Sequence, residues 1–111
     1  MSIQYRNLVS VVASYSGTGA NIALDLGFVP SMARGYDVKN GALGWYWFQN
    51  MDGTTTTIRG VTEGATIATI SNGAGGIVAL DGSAGTGIGL TIGTDSTINI
   101  AGHSVVVHAM R

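Results

Sequence analysis

Between residues 21 and 28 the chain alternates in character. Ile22, Leu24, Leu26 and Phe28 fall on one side of an extended backbone, and Asn21, Ala23, Asp25 and Gly27 on the other. A period of two is the mark of a half-buried strand. The same period puts Met32, Tyr36 and Val38 on one face with Arg34 interrupting it, pairs Leu90 with Ile92, and pairs Ile98 with Ile100. Turn signals separate these runs: Gly17-Thr18-Gly19, Pro30-Ser31, Asn40-Gly41, Asp52-Gly53, Glu63-Gly64, Asn72-Gly73, Asp81-Gly82 and Thr94-Asp95. Turns spaced about 8–12 residues apart predict many short strands in a sandwich or barrel. Asn-Gly and Asp-Gly suit tight hairpins, because these residues tolerate positive φ.

Two predicted strands are apolar on both faces. In one, Trp45 and Trp47 point one way and Tyr46 and Phe48 the other; in the last, Val105, Val107 and Ala109 oppose Val106 and Met110. Such a strand lies between two layers or has one flank covered by another protein. The rings at 45–48 are half of the chain's eight aromatics (Trp 2, Tyr 4, Phe 2), so this strand is a candidate for both core and interface. The candidate interface residues are Trp45, Tyr46, Trp47, Phe48, Val106, His108 and Met110.

The expected fold is all-β: a compact antiparallel β-sandwich or jelly-roll-like barrel of about 8–10 short strands, with residues 1–111 as a single domain. Eighteen glycines weaken any helical alternative. A chain of 111 residues buries roughly two-thirds of its unfolded surface, enough for one thin core and little room for a deep catalytic cleft. Only 10% of residues are charged, against about 25% in an ordinary soluble domain. The exterior is therefore built of Ser, Thr, Asn, Gly and apolar side chains, a surface that is cheap to desolvate against other protein.

Charge and motif content narrow the function classes further. Net charge is −1, and the basic residues Arg6, Arg34, Lys39, Arg59 and Arg111 are scattered, so no stripe exists to neutralise several phosphates and nucleic acid is not an expected partner. No basic amphipathic stretch suggests a membrane surface. The charge-free stretch from Gly64 to Leu80 is broken by Gly, Thr, Ser and Asn, and falls short of a spanning segment. No signal-peptide pattern opens the chain, which predicts synthesis in a cytoplasm. Without cysteine there are no disulfides, thiolate metal sites or cysteine nucleophiles. Gly17-Thr18-Gly19 and Gly85-Thr86-Gly87 begin like a dinucleotide fingerprint, but Ile22 and Leu90 occupy the position of its third glycine, and no Gly-Lys-Ser/Thr occurs. His103 and His108 are five apart, an odd spacing that sends strand residues to opposite faces. No Gly-x-Ser-x-Gly elbow accompanies them. Asp52 and Asp81 are explained by their turns, and Asp95 is expected to bond to backbone within Thr94-Asp95-Ser96-Thr97. No cofactor, metal or enzymatic activity is expected.

Three segments together carry a resemblance. Leu26-Gly27-Phe28-Val29-Pro30-Ser31, the aromatic strand Trp45-Tyr46-Trp47-Phe48 followed by Met51, and the stretch from Gly89 to Gly102, with its Thr-Ile-Gly-Thr-Asp and Ile-Asn-Ile-Ala-Gly, resemble small virion structural proteins of tailed bacteriophages, as does the ending Ala109-Met110-Arg111. Leu90 stands where that pattern carries an aromatic, and His103 where it carries an acid. The resemblance implies a head- or tail-associated structural protein located in the virion and assembled in the host bacterial cytoplasm. With one small domain and no coiled-coil heptads, the chain suits a capsid decoration (cement) protein. Such a protein would bind the outer surface of the major capsid protein shell as a symmetric homo-oligomer, with a trimer favoured by the threefold sites of an icosahedral shell. The alternatives are a tail, neck or baseplate component, and a carbohydrate-binding module that stacks sugars on exposed Trp and Tyr rings.

Overall fold

A computed structural model of the chain describes residues 10–39, 44–49, 55–59, 68–71, 74–83 and 85–111. Among these residues the fold is all-β. The strands are β1 (Ser10–Ser16), β2 (Ile22–Asp25), β3 (Met32–Asp37), β4 (Trp45–Phe48), β5 (Thr55–Arg59), β6 (Ala68–Ser71), β7 (Val78–Asp81), β8 (Ile88–Ile92) and β9 (Ser104–Met110). They form two antiparallel sheets, one six-stranded in the order β1-β9-β3-β4-β5-β6 and one three-stranded in the order β2-β8-β7. The sheets enclose a shared core, making the β-sandwich expected from the turn spacing. The turns at Asn40-Gly41, Asp52-Gly53, Glu63-Gly64 and Asn72-Gly73 lie outside the described residues, as does Met51.

Strand alternation decides what the core contains. Tyr15 of β1, Ala33 of β3, Trp45 and Trp47 of β4, and Val105, Val107 and Ala109 of β9 point inward from the larger sheet. Leu24, Leu90 and Ile92 meet them from the smaller one, and Ile77 and Ile98 fill in from connecting segments. Register explains how two indoles fit. Ala33 lies opposite Trp47, and Gly35 opposite Trp45. The Trp45 ring lies over Gly35 so closely that a methyl group there would overlap the indole. Small residues on β3 thus make the space that the large ones on β4 fill.

β9 is the spine of the larger sheet. It pairs along its whole length with β1, from Ser10↔Met110 to Ser16↔Ser104, and on its other side with β3, from Met32↔Met110 to Asp37↔Val105. A polar seam runs beneath it. Tyr15 Oη donates to the Ile98 carbonyl (2.6 Å) and accepts from Trp45 Nε1–H (3.1 Å). Asn99, also buried, acts as a clasp: its Oδ1 accepts from the amides of Thr18 (2.7 Å) and Gly19 (3.0 Å), and its Nδ2 donates to the carbonyls of Ala20 (2.7 Å) and Gly93 (2.8 Å). All its polar capacity is thereby used.

The structure revises several local expectations. The run from Ile22 to Phe28 is a strand only as far as Asp25, because Gly27 turns the chain with φ of 83°. Asp81-Gly82 opens a connection through residues 82–87 rather than a tight hairpin; Asp81 Oδ1 accepts from Ser83 N (2.9 Å) to start it. Ile98 and Ile100 lie on turns, not on a strand. Asp95 behaves as expected, accepting from the Thr97 amide (2.8 Å).

Candidate interaction face

The outer face of the six-stranded sheet can be built row by row from the registers. The first row across β1, β9, β3 and β4 is Ser10, Met110, Met32 and Phe48. The second is Val12, His108, Arg34 and Tyr46, and the third is Ser14, Val106 and Tyr36. Val38 extends β3's side of the face, its amide donating to the Ser104 carbonyl (3.0 Å). Among the described residues, five of the six exposed large apolar or aromatic side chains lie here: Val12 (72% exposed), Val38 (64%), Tyr36 (40%), Phe48 (39%) and Val106 (38%); the sixth, Ile88, is on β8. Tyr46 and Phe48 form a tilted ring pair with centroids 6.3 Å apart.

Within these rows Arg34 and His108 carry the only ionisable side chains besides the tyrosine phenols. Arg34 Nη2 stands 3.4 Å from His108 Nδ1, and His108 Nε2 stands 2.7 Å from Ser10 Oγ. A guanidinium only donates, so Nδ1 accepts from it and Nε2–H donates to the serine. The imidazole is tied down on both nitrogens, and the face presents a single guanidinium framed by aromatic and aliphatic groups. Protein interfaces favour this composition at their centres: aromatics, Met and Arg enriched, Lys and carboxylates scarce.

Of the residues expected at an interface, Tyr46, Phe48, Val106, His108 and Met110 come together on this face. Trp45 and Trp47 do not. They are 0% and 3% exposed and belong to the core, because Ala33 and Gly35, their small partners on β3, leave room for the indoles on the inner side of the sheet. This also removes both indoles as sugar-stacking platforms. Val12, Met32, Arg34, Tyr36 and Val38 join the face. For β3 the signal was its alternation, once the buried side was known. For Val12 it was the Ser-Val-Val-Ala-Ser-Tyr-Ser pattern of β1, in which Val11, Ala13 and Tyr15 take one side.

The remaining chemical groups serve the fold. His103 Nδ1 and Asp37 Oδ2 are 2.6 Å apart on the inner side of the sheet, while His108 faces outward, so the two histidines sit on opposite faces as their spacing predicts. Burial pushes the Tyr15 phenol far above the ordinary tyrosine range; the Asp37 carboxylate adds to this, and the Trp45 hydrogen bond opposes it. Side-chain and backbone hydrogen bonds from Ser83 hold the Asp81 carboxyl below its usual range. Among the described residues no cluster of three His, Asp or Glu side chains is placed to hold a metal ion, and no pocket opens. No family model, curated protein or solved structure significantly matches the chain.

Proposed function

We propose that this protein is a structural component of a tailed-bacteriophage virion, and specifically a capsid decoration protein that stabilises the head by laying the outer face of its six-stranded sheet against the shell. The observation that carries this reading is the distribution of exposed apolar groups. Val12, Tyr36, Val38, Phe48 and Val106 are gathered on one face of one sheet, whose opposite face is already filled by the core. An apolar, nearly uncharged sheet face marks a protein-binding surface. The resemblance of the Leu26–Ser31, Trp45–Phe48 and Gly89–Gly102 segments to phage virion proteins supplies the setting. The work done is interface burial, repeated over many copies on one particle so that a modest gain per site accumulates.

The test is binding of purified protein to empty capsids, read by co-sedimentation and by the temperature at which the capsids rupture. Wild type is expected to co-sediment and raise that temperature. Phe48→Glu combined with Val106→Glu is expected to remain folded and lose both effects. Failure of wild type to bind any capsid removes the reading. A dozen or fewer copies per particle, rather than hundreds, moves the protein to the neck or baseplate.

A further inference from the structure

The open edge of β1 is a self-pairing strand, and we infer that two copies of this protein join through it, β1 against β1 about a twofold axis, so that the six-stranded sheet of one copy runs on into that of the other. The phase of the ladder identifies which groups are free. Gly17 N donates to the His103 carbonyl (2.8 Å), and on the far side of β9 Val38 N donates to the Ser104 carbonyl (3.0 Å). Hydrogen bonding alternates along an antiparallel pair, so Val11, Ala13 and Tyr15 spend their backbone groups on β9. Ser10, Val12, Ser14 and Ser16 turn theirs to the edge. Among the described residues nothing pairs with that side.

Natural sheets protect such edges with charge, proline, a bulge or a short strand. β1 has none of these. It is seven residues long, Ser-Val-Val-Ala-Ser-Tyr-Ser, uncharged, without proline, and in unbroken register with β9. By contrast, the ladder between β5 and the opposite edge strand, β6, is interrupted by a register shift. Two further observations select a second copy as the occupant. A foreign peptide added to an edge is chosen by pockets for its side chains, and no pocket opens among the described residues. Val12, the most exposed large apolar residue described, also sits on this strand. With the axis at Val12, that side chain meets Val12 of the second copy, Ser10 comes opposite Ser14 in both directions, and every outward residue stays on the outward face. Such an isologous contact closes on itself and gives a dimer. It is independent of what the outer face binds, and it points to twofold symmetry rather than the threefold arrangement suggested by shell geometry.

The test is sedimentation velocity on the isolated protein at tens of micromolar, alongside amide hydrogen exchange. Wild type is expected to sediment as a dimer, with the Val12 and Ser14 amides protected although no group among the described residues of one copy accepts them. Val12→Pro removes only an edge-facing donor, which an edge strand tolerates. It is expected to sediment as a folded monomer, with association weakened by about a hundredfold or more. Should that variant fail to fold, Val12→Lys carries the test, since it keeps the donor and sets two like charges face to face. A wild-type monomer, exchange of the Val12 amide at the rate of a free one, or a dimer that survives the lysine substitution each overturns the inference.

Discussion

Tyr15→Phe isolates the polar seam under β9. The substitution keeps the ring and removes one oxygen. It leaves two buried groups without their partner: the Ile98 carbonyl, which accepted at 2.6 Å, and the Trp45 indole N–H, which donated at 3.1 Å. Tyr15 is only 7% exposed and Trp45 is fully buried, so water does not readily replace the phenol. An unsatisfied buried group costs about 1–3 kcal/mol, which gives roughly 3 kcal/mol for the pair of bonds at neutral pH. At about 4–8 °C per kcal/mol for a domain near this size, the melting temperature falls by about 12–24 °C. The same side chain has an alkaline signature. The folded phenol ionises well above the ordinary range because it is buried, whereas in the unfolded chain it ionises near pH 10. Above that pH the unfolded state releases a proton that the folded state retains. Wild type therefore loses about 1.4 kcal/mol per pH unit through this group, with the loss beginning near pH 10 and absent below it. The phenylalanine variant lacks this slope, so its deficit shrinks as pH rises from 10 to 11. Urea denaturation followed by circular dichroism at pH 7, 9, 10 and 11 measures both effects. A deficit under about 1 kcal/mol at pH 7, or one that stays constant between pH 9 and 11, refutes the reasoning.

Three further outcomes are expected. Gly35→Ala places a methyl group against the Trp45 ring and costs about 3 kcal/mol by overpacking, measurable as a lower denaturant midpoint; an unchanged midpoint means that the indole moves aside freely. Asn99→Ala strips four hydrogen bonds from the clasp and costs about 3–5 kcal/mol, with faster amide exchange at Thr18 and Gly19. The Ser83 amide resonance follows Asp81 as pH is lowered, with a midpoint below the ordinary carboxyl value, because the Ser83 bonds favour the charged form. The stabilisation of that turn is present above the ordinary carboxyl range and is lost as pH falls through the lowered value.

The class of fold was legible because it depends on spacing, and turn residues punctuate this chain regularly. The two-sided character of β4 and β9 was equally plain. Periodicity does not say which of two apolar sides is the inner one, and at β4 this decided whether the tryptophans or Tyr46 and Phe48 met the outside. The discriminating signal sat on another strand: Ala33 and Gly35 alternate with Met32, Arg34 and Tyr36, leaving space for large rings on one side only. Reading that required the β3–β4 register, a long-range property. The edge position of β1 was illegible for the same reason, since its only described neighbour is the strand nearest the other end of the sequence. Asn99 looked like one more polar residue in a strand-like run, and its role as a clasp came from four partners spread from Thr18 to Gly93.

The place of β9 has a consequence for how the chain reaches its native state. β1 and β3 come early in the sequence but do not pair with each other; each pairs with a strand that follows about seventy residues or more behind it. Until β9 arrives, β1 has no partner strand and β3 lacks one of its two, so the larger sheet cannot close around its middle. Pairing across so long a stretch of chain slows folding, because the loop must close before the contacts that reward it can form. Removing the last strand would leave the partly formed sheet open to aggregation rather than produce a smaller working protein.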